Sequence, residues 1–209
     1  EIDAAGEPGR GTRKEMIAMN VLPIPASGLP EGAVMPEHKL SIVVPMYNEA
    51  DNVEPLLARI HQAMEGYSQP WEVVLVDDGS TDGTRAVCEA MRESVPKLRL
   101  LVHEGNRGYA AALRTGFTSA AMPLVFYTDA DNQFDVRELK NLLAAIDDYD
   151  IVCGFRIYRF DPFSRLVLSW GYNLLVRILF RIRVRDVDCA FKLFRREIFD
   201  RIHIESKKF

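Results

Sequence analysis

Cysteine is scarce in this sequence. Cys88, Cys153 and Cys189 are the three among 209 residues, widely spaced and without a CxxC pair. That argues against a disulfide framework or a structural zinc site and points to a reducing compartment. Long apolar runs are missing too. The longest, residues 166–180, is broken by Arg177 and followed by Arg181, Arg183 and Arg185. It falls short of the roughly 20 apolar residues that span a bilayer. Nor is there an excess of positive charge: 26 Lys and Arg stand against 30 Asp and Glu, a net −4. The global field therefore does not favour nonspecific nucleic-acid binding. Neither G-x-x-x-x-G-K-[ST] nor G-x-G-x-x-G occurs, which removes P-loop nucleotide hydrolysis and standard dinucleotide binding.

What is there is the composition of an ordinary globular chain, 48% hydrophobic and 27% charged, with a length suited to one large domain or two small ones. The net charge conceals an asymmetry. Residues 151–200 carry ten Lys and Arg against five Asp and Glu, a local +5 that leaves −9 elsewhere. Residues 1–38 are rich in Gly and Pro without periodicity, and read as a flexible leader. Order is expected from Leu40 onward.

From there strands and helices alternate. Apolar, β-branched runs at 40–46, 71–76, 98–103, 123–128 and 151–154 predict buried parallel strands. Helical spacing puts Val53, Leu56, Leu57, Ile60 and Met64 on one face, opened by Asp51 and Glu54 as a capping box. Further helices are predicted over 81–93, 108–121 and 137–148. The fold class is therefore α/β, a mostly parallel central sheet with helices on both faces. Such sheets bind ligands beyond the carboxyl ends of their strands. The polar clusters at 47–49, 77–80 and 129–131 fall at those ends, and should converge on one crevice.

Asp129 and Asp131 straddle one residue at a strand end, so the two carboxylates can share a hard cation, with Gln133 adding a neutral oxygen. Mg2+ or Mn2+ held this way completes its shell with water and substrate phosphates. The plainer alternative is that one aspartate merely caps the next turn. In Asp77-Asp78-Gly79-Ser80-Thr81, glycine allows a tight turn and Ser80 or Thr81 can cap the following helix. Two adjacent carboxylates exceed what a cap requires, and either could accept hydrogen bonds from a nucleobase or ribose. His103 sits near a strand end with no paired acid or nucleophile, and reads as structural.

V-V-P-M-Y-N-E-A-D-N (43–52), V-D-D-G-S-T-D-G-T (76–84), N-R-G-Y-A-A-A-L-R-T-G-F (106–117) and T-D-A-D-N-Q-F-D (128–135) occur in that order. Together they resemble the family 2 inverting glycosyltransferases of GT-A fold, in the branch of dolichyl-phosphate mannose synthase and the polyprenyl-phosphate glycosyltransferases. The resemblance spans residues 39–209. It implies that Pro45, Tyr47, Asn48 and Glu49 line a nucleotide pocket, that Asp77 or Asp78 holds the base or ribose, and that Asn106, Arg107 and Gly108 form a nucleotide-side loop. It also implies that Asp129, Asp131 and Gln133 bind the metal. Related enzymes continue into a further helix and strand, many adding transmembrane helices, so it implies a catalytic domain cut short at its carboxyl end.

The basic half carries the expected acceptor side. Arg177, Arg181 and Arg185 would align on one face of a helix, and segment 156–185 reads as a basic amphipathic surface for an anionic membrane. A core-facing helix and a homo-oligomer interface are the alternatives. Arg156 resembles the branch's arginine for the acceptor phosphate, a task suited to a guanidinium fork. Asp186, Asp188 and Lys192 lie in a stretch resembling D-x-x-S-G-F-R, with Cys189, Ala190 and Lys192 departing from it. A lipid phosphate is already anionic and needs positioning and charge compensation. A hydroxyl acceptor would need a base, for which Asp186 or Asp188 is best placed.

The expectation is thus a metal-dependent inverting transferase moving a hexose from a UDP- or GDP-sugar to a polyprenyl phosphate, peripheral at the cytoplasmic face of a membrane. Asp131, Arg156, Asp186 and Asp188 would stand nearest the chemistry. Two rivals remain: the same fold acting on a glycan, glycolipid or protein hydroxyl, and a catalytically idle nucleotide-sugar-binding or assembly module.

Overall fold

The computed structural model describes residues 38–95, 97–154, 171, 179 and 189–202. Six strands form one sheet: β1 Leu40–Met46, β2 Trp71–Asp77, β3 Leu98–Val102, β4 Leu124–Thr128, β5 Ile151–Cys153 and β6 Phe191–Arg195. Their order is β3-β2-β1-β4-β6-β5. β1 to β4 run parallel, and β6 lies antiparallel between β4 and β5. The five predicted strands are present: β1 as expected, β2 one residue longer, and β3, β4 and β5 each one residue shorter. β6 is an addition, because its F-K-L-F-R pattern was read only as part of a motif.

Every residue of β1 and β2 is buried, as expected of strands covered on both faces. Alternation divides them. Ile42, Val44, Val73 and Leu75 face a core shared with Val53, Leu56, Cys88 and Leu143. These come from helices α1 Ala50–Ala63, α2 Thr84–Ser94 and α4 Leu139–Ala145. Val43, Val74 and Val76 face the opposite way, onto Ala112 and Phe117 of α3 Tyr109–Ser119. Gly116 permits that approach, since a Cβ there would lie 2.3 Å from Val43 Cγ1. The helix expected over 137–148 is α4 flanked by 3-10 turns at Val136–Glu138 and Ile146–Asp148.

Two helix starts differ from expectation. α1 opens after Glu49 with no side-chain cap of its own. Its entry is held instead by the β2–α2 loop: Glu49 N–H donates to Thr84 Oγ1 (2.8 Å) and Ala50 N–H to Asp82 Oδ2 (3.2 Å). The Asp51–Glu54 capping box is thus replaced by a cap from another segment. α2 starts at Thr84, not 81, behind Gly83 in the left-handed region. Ser80 and Thr81 serve Asn48 instead of capping.

Chain direction sets where a crevice can open. From β1 the sheet grows one way through β2 and β3, and the other way through β4. That reversal is a topological switch point, where open sheets bind ligands. The ladder shows the parting. β1 pairs with β2 as far as Met46–Asp77, but with β4 only as far as Val43–Tyr127. Pro45, which has no N–H to give a ladder, lies beyond the last β1–β4 pair.

Candidate active site

A cleft of about 440 Å³ opens at this parting, lined by Pro45, Met46, Tyr47, Glu49, Asp78, Asn106, Gly108, Tyr109, Ala112, Asp129, Ala130 and Asp131. The three predicted strand-end clusters therefore meet, joined by the amino end of α3. Asn48, Asp77, Arg107 and Gln133 are not among the lining residues; Asp77 is buried and the other three are exposed. Arg156, Asp186, Asp188 and the 156–185 segment apart from Gly171 and Leu179 lie outside the described residues, as does the 1–38 leader apart from its last residue, His38.

The cleft floor is built by backbone donors meeting carboxylates. Asn48, at φ 57°, accepts from Thr81 N–H with its side chain (2.9 Å), and its own N–H donates to Ser80 Oγ (2.9 Å). It ties β1 to the β2–α2 loop, where lining of the pocket was expected. Gly79 permits the next contact. Its φ is +75°, and a Cβ would lie 2.5 Å from the backbone of Gly105, so the 77–80 and 105–108 loops touch main chain to main chain.

The two adjacent aspartates have separate tasks. Asp78, 3% exposed, accepts from Arg107 N–H (2.9 Å), Gly108 N–H (2.8 Å) and His103 Nδ1 (2.6 Å). It organises the 106–108 loop. Asp77 accepts from Ser80 N–H through Oδ1 (2.9 Å), while its Oδ2 is buried with no hydrogen-bond partner among the described residues. His103, read as lacking an acid, has one: the β2–β3 register sets Asp77 opposite Val102, which brings the next pair, Asp78 and His103, together. Its Nε2 meets Thr115 Oγ1 on α3 (2.9 Å). The histidine is a strut between loop and helix.

Around the second loop, Asp131 Oδ1 accepts from the backbone N–H of Gln133 (3.1 Å). Asn132, at φ 58°, donates to Asn52 O (3.1 Å), and Asn52 donates to Glu49 Oε2 (2.6 Å). The loop is thereby fixed to the first turn of α1. Tyr109, half exposed, donates its hydroxyl to Asp129 Oδ1 (2.7 Å). Burial and the carboxylates of Asp129 and Asp131 push the phenol pKa far up, so it keeps its proton. Tyr109 lies inside the quoted 106–117 motif, where no task was assigned to it. Lys192 on β6 donates to Cys189 O (2.6 Å) and Tyr127 Oη (3.2 Å), beside the end of β4.

The charge of the lining decides what it can hold. Glu49, Asp78, Asp129 and Asp131 face the cleft, and no Lys or Arg is among its described lining residues. An anionic ligand would meet carboxylates of its own sign, which costs free energy at these separations. A divalent cation would resolve the conflict. Two carboxylates with open positions for phosphate oxygens suit Mg2+ or Mn2+, and Asp129 and Asp131 fit that description.

Residues 41–203 match the sequence profile of Glycosyl transferase family 2. The chain belongs to that family. This family 2 domain is 33% identical over 171 residues to dodecaprenyl-phosphate galacturonate synthase of Rhizobium johnstonii, covering 79% of the chain and 50% of the relative. It is 36% identical over 163 residues to undecaprenyl-phosphate 4-deoxy-4-formamido-L-arabinose transferase of Aeromonas hydrophila, with 77% and 50% covered. Among solved structures, a Pyrobaculum calidifontis mannosyltransferase in complex with GDP-Man and Mn2+ superposes with a TM-score of 0.58 at 29% identity, over 79% of this chain and 47% of that one. The architecture is GT-A-like. The chain spans about half the length of the curated relatives it matches. No helix among the described residues is long and apolar enough to cross a membrane.

Proposed function

We propose that this family 2 domain transfers a sugar from a nucleoside diphosphate to a polyprenyl phosphate, with inversion, using a divalent cation held by Asp129 and Asp131. The observation that carries the reading is the acidic cleft at the β1–β4 parting, which lacks described basic residues where a diphosphate would lie. Two relatives named for polyprenyl-phosphate sugar transfer support the acceptor class. The mannosyltransferase complex with GDP-Man and Mn2+ supports the donor and cation class.

In this reading Tyr47 offers an exposed ring at the cleft, and Asp77 or Asp78 holds the base or ribose. The donors that already engage Asp78 favour Asp77, whose Oδ2 has no partner among the described residues. When bound, the cation supplies the positive charge that stabilises the departing diphosphate. The acceptor phosphate arrives already anionic, so the chain's task is to orient it and compensate its charge. Arg156 is assigned to that side, with Asp186 and Asp188 organising it. Segment 156–185 would meet the anionic membrane surface that holds the lipid, on the cytoplasmic face.

The test is nucleotide release from a panel of UDP- and GDP-sugars with Mn2+ or Mg2+, with and without a short-chain polyprenyl phosphate. Release of one nucleotide that requires both cation and lipid is the expected result. Transfer to soluble hydroxyl acceptors without lipid would replace the acceptor assignment. Tight donor binding without turnover on any acceptor would leave a binding module.

A further inference from the structure

We infer that Tyr109 is the positioning residue for the cation site, and that it joins the nucleotide side of the cleft to Asp129. The inference rests on the cation reading above. Its basis is a continuous chain of contacts. Thr115 on α3 meets His103, and His103 meets Asp78. Asp78 in turn fixes the N–H groups of Arg107 and Gly108. Gly108 is the residue on which α3 begins, and Tyr109 is that helix's first residue. From this anchored start the phenol reaches across the cleft to Asp129 Oδ1 at 2.7 Å.

Asp129 lies in a loop just past β4, and the bond fixes one of its oxygens. A carboxylate has about four lone-pair sites, so a bond from the phenol does not by itself exclude a cation. Hydrogen bonds from behind a metal-binding carboxylate fix its orientation, and their loss typically costs about 10–100-fold in metal affinity or activity. The ring is half exposed and outside the two hydrophobic cores, so packing gives it little reason to be there.

Tyr109→Phe removes the hydroxyl and keeps the ring. Mn2+ titrations followed by electron paramagnetic resonance, with UDP and with GDP present, would read the effect directly. The expected result is a rise of about tenfold or more in the Mn2+ half-saturation of the variant, with an unchanged melting midpoint. Steady-state rates should drop at low Mn2+ and recover substantially at saturating Mn2+, a split that a purely structural lesion would not give. Asp129→Asn runs beside it as the loss of the ligand itself.

Binding by Tyr109→Phe within twofold of wild type would overturn the inference while leaving the cation site intact. Tighter binding would overturn it as well, and would make the phenol a competitor for the carboxylate. A wild-type chain that takes up no Mn2+ with either nucleotide would overturn the cation reading itself, and this inference with it.

Discussion

β2 carries a buried carboxylate at each end, and the two ends are finished differently. At the amino end Glu72 accepts from Ser41 Oγ (2.7 Å), Ala121 N–H (2.7 Å) and Arg99 (2.8 Å). Both oxygens are matched. Burial alone would raise this carboxyl, but those donors outweigh it and hold it below its ordinary value of 4.5. At the carboxyl end Asp77 has one oxygen matched and one buried without a partner among the described residues. A buried acceptor left unmatched costs free energy, and a ligand N–H or O–H would recover it. The fully satisfied carboxylate belongs to the architecture, whereas the half-satisfied one is suited to a visitor.

That contrast can be broken from either end. The largest expected effect is on the cleft side: Asp131→Asn should lower donor turnover about 10³-fold with the urea midpoint unchanged. At the other end, Glu72→Ala leaves the Ala121 N–H without its acceptor and removes the Arg99 ion pair, and should cost about 2–3 kcal/mol in urea unfolding. Nucleotide affinity of the folded fraction should stay as it was. Asp77→Asn should weaken UDP or GDP binding about tenfold, the worth of one hydrogen bond to a charged group, as read by calorimetry, without lowering the melting midpoint.

The smallest effect is on pH dependence. Glu72 is more acidic in the folded chain than unfolded, so its contribution is complete above about 4.5 and fades as pH falls through the lower folded value. Glu72→Gln should flatten that acid limb in denaturation curves. An unchanged limb would remove Glu72 from the account.

Much of this was legible in the sequence. β1 and β2 announced themselves because strands buried on both faces need uninterrupted apolar runs. The cleft followed from polar residues placed after such runs. Other features depended on contacts between distant segments. Asp77 and Asp78 could not be told apart by type, only by which face of the strand end each meets. His103 seemed to lack an acid because its partner lies 25 positions away and is delivered by the β2–β3 register. The cap of α1 was misassigned because Thr84 and Asp82 supply it from another loop. β6 was missed because an antiparallel return strand leaves no helix-strand rhythm to detect.

β6 also dictates an order of events. It is the strand between β4 and β5, yet it follows both of them in the sequence. On a ribosome, β1 to β4 can assemble as soon as Thr128 has emerged, because each pairs with strands already made. β5 is made next but has no seat in the sheet until Phe191–Arg195 arrives to separate it from β4. Until then the open edge of β4, carrying Tyr127 and Thr128 just ahead of Asp129 and Asp131, is an unpaired template that another chain could occupy. That edge of the sheet is therefore covered only after β5 has been made, and a chain stalled before Phe191 would present the β4 edge as a sticky one.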